Sequence, residues 1–77
     1  MNKERRKNLN KIMEALESLK DELELLCEEE EEYIDNIPEN LQGSERYERA
    51  EDALSYMKDA YDYIDDVISN IEGAIEA

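Results

Sequence analysis

Histidine, tryptophan and phenylalanine are absent from this 77-residue chain, which has one cysteine, one proline and two glycines. Without histidine there is no Ser-His-Asp or Cys-His nucleophile system, and most transition-metal sites are excluded. A single thiol excludes an internal disulfide and a cysteine-only zinc site. Positive charge is scarce: 9 Lys and Arg stand against 23 Asp and Glu, for a net charge of -14. A pI near 4.1 speaks against direct contact with DNA, RNA or anionic lipid. Long apolar runs are missing too, so no segment is expected to span a membrane. The basic start, Met1 to Lys7, is not followed by an apolar signal core. With the lone thiol, this predicts a cytoplasmic protein.

What is there is periodic. Leu9, Ile12, Leu16, Leu19, Leu23, Leu26, Glu30, Tyr33 and Ile37 alternate steps of three and four. Tyr47, Ala50, Leu54, Met57, Tyr61, Ile64, Ile68, Ile71 and Ile75 do the same. Such a 3.5-residue period is that of coiled-coil seams, and no stretch alternates with the period of a strand. The only cluster of helix breakers is Asn36 to Ser44, around Pro38 and Gly43. Pro38 disfavours helix at Ile37, and Ser44 suits an N-cap. One domain is therefore expected: a helix over about 3–36, a turn over 37–44, and a helix over about 45–76. The fold class is all-α, an antiparallel two-helix hairpin with coiled-coil-like packing.

Arms of this length give rods of roughly 50 Å, and a connection this short makes them antiparallel neighbours. Folding near Asn40 sets Leu9 beside Ile75, Leu16 beside Ile68, Leu23 beside Tyr61 and Tyr33 beside Ala50. Lys20 then falls near Asp65. Met13, Cys27 and Ile34 widen the apolar stripe of the first arm, and Ala53, Ala60, Val67 and Ala74 flank that of the second. A lone hairpin buries little surface. The widened stripes predict a homodimer, a four-helix bundle with Leu16, Leu23, Ile64 and Ile68 in its core.

The turn carries a likeness. Asn36-Ile37-Pro38-Glu39-Asn40-Leu41-Gln42-Gly43-Ser44-Glu45-Arg46, with Arg5-Arg6-Lys7 at the start, fits an Asn-x-Pro-Glu-x-Leu-Gln-x-Ser-Glu-Arg pattern. In this the chain resembles a group of small acidic helical-hairpin proteins of Gram-positive gut bacteria and their phages or integrative elements. The resemblance implies a mobile-element setting. It brings no activity and no functional residue.

No constellation of residues points to catalysis. Glu28 to Glu32 are consecutive on a helix, so they radiate around its axis and do not converge on a metal as a calcium loop does. Asp62, Asp65 and Asp66 share a face, but acid-base chemistry needs a water-excluding pocket that a two-helix rod lacks. Cys27 lies among acids, which disfavour thiolate. Glu30 stands at a seam position, either exposed there or fixing register. No enzyme activity, cofactor or metal is expected.

Interaction remains. Residues 1–11 hold five cations and one carboxylate, so the other 66 residues carry a net -18. Tyr56 and Tyr63 point off the seam beside Asp59, Asp62 and Asp66, a candidate partner-binding row. B-DNA carries one charge per about 1.7 Å, and a rod with this charge carries one per roughly 2.8 Å. The sequence thus suggests a nucleic-acid mimic that occupies the basic groove of a nucleic-acid-binding or defence protein. A homo-oligomeric structural or adaptor module is the alternative. A small-ligand sponge is a third reading.

Overall fold

The computed structural model describes all 77 residues and contains helices and turns only. Helix α1 spans Lys3–Asp35, and helix α2 spans Glu45–Glu76. A short 3-10 turn, Glu39–Leu41, lies between them. The two long helices run antiparallel side by side and make a rod of 59 × 15 × 13 Å. Neither helix is long and apolar enough to cross a membrane.

Each helix begins on a side-chain cap. The Asn2 Oδ1 accepts from the Arg5 N–H at 2.7 Å, and the Ser44 Oγ accepts from the Tyr47 N–H at 3.2 Å. These bonds satisfy amide donors that the first helical turn leaves without a partner. Glu4, Glu45 and Glu48 lie in first turns, where the helix dipole favours negative charge. Pro38 closes off α1: the chain is extended there, with φ -58° and ψ 145°. The turn then folds back through a hydrogen bond from the Leu41 N–H to the Pro38 carbonyl at 2.8 Å.

The seam of α2 is the one that periodicity indicated. Tyr47, Ala50, Leu54, Met57, Tyr61, Ile64, Ile68, Ile71 and Ile75 are all buried or half-buried. The seam of α1 differs. Leu9, Leu16, Leu23, Glu30 and Ile37 face inward as expected. Beside them, however, sit Met13, Lys20, Cys27 and Ile34, four residues on, where Ile12, Leu19, Leu26 and Tyr33 were expected. Ile12, Leu19 and Leu26 are 51%, 54% and 53% exposed. Tyr33, expected in the seam against Ala50, is outside it, while Ile34 and Ala50 are buried. The physical reason is the width of the stripe. Three rows of α1 are apolar or partly so, but a contact with one other helix covers only two.

The chosen rotation seats a cation in the seam. Lys20 lays its stem across Tyr61, with the ammonium 4.8 Å from the ring centroid, and ends 2.6 Å from Asp65. The stem is covered while the charged head reaches water. The hydrogen bond to Asp65, and then that carboxylate's charge, raise the Lys20 pKa above its ordinary value, against the opposing effect of desolvation.

Only Cys27, Ile34, Ala50 and Ile68 are buried, each at 8% exposure. Leu16, Leu23 and Ile64, expected at the centre of a dimer, are half-buried in the contact between the two helices, alongside Ile68. A core this thin is characteristic of a chain that cannot bury much surface alone.

Candidate interaction surface

The two edges of the hairpin differ in chemistry. Lys58 and Asp65 follow the seam residues Leu54 and Tyr61 by four positions, which puts them on one edge of α2. That edge carries the ion pairs Lys20–Asp65 at 2.6 Å and Lys58–Glu31 at 3.1 Å. Ion pairs at a solvent-exposed edge contribute little to stability. They identify the charged edge rather than hold the fold together.

Ala53, Ala60, Val67 and Ala74 immediately precede seam residues of α2, so they lie along the other edge. Ile12, Leu19, Leu26 and Tyr33 immediately precede Met13, Lys20, Cys27 and Ile34 in α1. In an antiparallel pair these two rows come to the same side. Together they make an apolar strip along the rod, with Ile12, Leu19, Leu26 and Val67 among its exposed large side chains.

Tyr56 and Tyr63 border this strip, three residues after Ala53 and Ala60. They are 76% and 67% exposed. Asp59, Asp62 and Asp66 are also exposed, but they lie on the outer side of α2. The five residues singled out in the sequence therefore divide between two surfaces. None of their side chains makes a hydrogen bond or ion pair within the chain. The residues that sequence reasoning missed are Ile12, Leu19 and Leu26. Their apolar character argued for the seam, and only the rotation of α1 shows them outside it.

The acidic run is spread around α1. Glu28, Glu29 and Glu32 are exposed, Glu31 pairs with Lys58, and Glu30 is half-buried in the seam row. No group of three carboxylates or thiols converges as a metal would require. Cys27 is a buried free thiol.

Two shallow depressions exist. One, about 350 Å³, lies at the turn between Tyr33, Pro38, Leu41 and Arg46. There Arg46 Nε donates to the Tyr33 hydroxyl at 2.7 Å, which fastens the start of α2 to the end of α1. The other, about 340 Å³, lies on the charged edge and is lined by Glu24, Glu28, Glu31 and Asp62 with Lys58. The first sets Ile37, Pro38 and Leu41 beside Asn36, Ser44 and Arg46, but the Ser44 Oγ and Arg46 Nε are already engaged by the Tyr47 N–H and the Tyr33 hydroxyl. The second is walled mostly by carboxylates, unlike the usual small-molecule site.

Comparison with protein-family models, with curated proteins and with solved structures gives no match, so the chain's own geometry has to carry any functional reading.

Proposed function

We propose that this protein is a non-enzymatic helical interaction module that works as a self-assembled four-helix bundle of two hairpins. The observation that supports it is the apolar strip of Ile12, Leu19, Leu26 and Val67, exposed beside a seam that buries only four residues, each still 8% exposed. An exposed, continuous apolar strip on a small rod marks an interaction face. A second hairpin laid on it completes the layered core that helical domains need. Acidity keeps the assembled rod soluble and separates one assembly from the next.

Assembly couples folding to concentration, because a partner that binds only the folded chain stabilises it by mass action. The thermal midpoint should therefore rise by several degrees over each tenfold increase in protein concentration. A midpoint constant over a hundredfold range contradicts the proposal.

A second reading is favoured by the outer side of α2. Asp59, Asp62 and Asp66 are exposed and in no ion pair there, and the one α2 cation beside them, Lys58, is engaged by Glu31. An assembled rod of this kind offers rows of carboxylates to a basic groove, as a nucleic-acid mimic does. The mobile-element setting implied by the turn fits a mimic directed at a nucleic-acid-binding or defence protein of the host. A ligand-sponge role draws no support from either depression.

A further inference from the structure

The apolar strip has a centre, and the sequence is symmetric about it. On α1, Ile12 and Leu26 each stand seven residues from Leu19. On α2, Tyr56 and Asn70 each stand seven residues from Tyr63, and Ala53, Ala60, Val67 and Ala74 are spread evenly around it. The Lys20–Asp65 bridge sets the level across the rod, so Leu19 and Tyr63 lie within about one helical turn of each other. From Ala53 to Ala74 this side of α2 carries no charge: Ala53, Tyr56, Ala60, Tyr63, Val67 and Asn70 lead to Ala74. An isologous contact needs such self-complementarity, with each residue meeting its symmetry mate across a two-fold axis.

Charge selects the direction of the second copy. Lys3, Arg5, Arg6, Lys7 and Lys11 cluster at one end of α1, and none of them forms an ion pair. Arg6 reaches only the Ala77 carbonyl oxygen at 3.4 Å, and its Nε is enclosed without an acceptor. The other end of α1 holds Glu28, Glu29, Glu32 and Asp35, also without ion pairs. Two copies laid end for end bring each basic tip onto the other's acidic end. Two copies laid in the same direction set each basic tip against the partner's α2 instead, whose strip residues at that end, the partner's Val67, Asn70 and Ala74, carry no charge to pair with it.

The exposed area is also sufficient. The surface is 5923 Å², whereas a compact monomer of this mass exposes about 4,900 Å². The excess of roughly 1,000 Å² matches what each partner contributes to a stable interface, about 800 Å².

We propose that the uncharged strip docks a second copy of this chain in the antiparallel sense, with a two-fold axis passing beside Leu19 and Tyr63. The proposal rests on the self-assembly reading and adds its face and direction. In the dimer α1 packs on the partner subunit's α1, Leu19 meets its own symmetry mate, and Ile12 meets the partner's Leu26. The basic tip, left unpaired in one hairpin, lies on the partner's acidic end.

The test is thiol cross-linking in a Cys27→Ala background. Leu19→Cys, an exposed position, is treated with a short bis-maleimide at micromolar protein, and its mass is measured in parallel by light scattering. Antiparallel docking predicts that Leu19→Cys links to itself in most of the chains. In same-direction docking Leu19 faces the partner subunit's α2. In that case Leu19→Cys fails alone and links only when mixed with Val67→Cys. That result, with a dimeric mass, overturns the direction while leaving self-assembly standing. A monomeric mass for the Cys27→Ala parent and for the unmodified chain, with no link in any sample, overturns both.

Discussion

Ile68→Asp should abolish the fold. Ile68 is one of the four buried residues and sits mid-helix in α2, at the level of Leu16. The change removes apolar burial worth about 1.5–3 kcal/mol and places an ionised carboxylate where no free cation waits. The nearest candidate, Lys20, is engaged by Asp65. An unpaired buried charge adds a cost of several kcal/mol. A core in a chain this small supplies only about 3–5 kcal/mol in all, so the loss consumes the whole stability. The helical circular-dichroism signal at room temperature should collapse to that of an unfolded chain. Ile68→Val, which deletes one methylene, should cost only about 0.5–1.5 kcal/mol and keep a cooperative melt. An Ile68→Asp protein that still melts cooperatively would show that the seam between α1 and α2 is not what stabilises the rod.

The second large effect concerns the acidic outer side. Replacing Asp59, Asp62 and Asp66 together by Asn keeps size and shape while removing three charges. All three are exposed and unpaired, so the helices should survive with stability changed by less than about 1 kcal/mol. If the outer side imitates nucleic acid, the triple variant should associate with a basic partner at least ~10-fold more slowly at low salt, because long-range attraction sets that rate. The difference should shrink as salt screens it. The unmodified protein should also compete with DNA or RNA for that partner, recovered by pulldown from host extract. A partner that holds nucleic acid and this protein together, each at undiminished affinity, removes mimicry and leaves the adaptor reading.

The architecture was legible because few signals competed. The breaker cluster at Pro38 and Gly43 leaves one place for a turn, and Ser44 has no rival as cap for α2. The second arm offers a single strong apolar row, Leu54, Met57, Tyr61, Ile64, Ile68 and Ile71, so its inward face follows from spacing alone. The first arm was ambiguous. The row Leu9, Leu16 and Leu23 has an apolar neighbour on each side: Ile12, Leu19 and Leu26 at three residues, Met13 and Cys27 at four. Hydrophobicity favours the first neighbour, since the second contains Lys20. The structure takes the second, because a long lysine stem can lie in a seam and send its charge to Asp65. Apolar strength then marks the outside of the hairpin, which a reading that equates apolar with buried passes over. The candidate surface stayed hidden for the same reason. Tyr56 and Tyr63 were visible as outward aromatics, but the strip they border exists only once Leu19 and Leu26 are outside the seam.

In the proposed assembly one hairpin is half of a working unit. Sedimentation equilibrium of the unmodified protein at micromolar concentration tests it most directly, since mass follows without regard to the rod's elongated shape. The expected result is a species of twice the 9.1 kDa chain mass, dissociating on dilution together with loss of helicity. A fully helical species that stays at 9.1 kDa as concentration rises would contradict it.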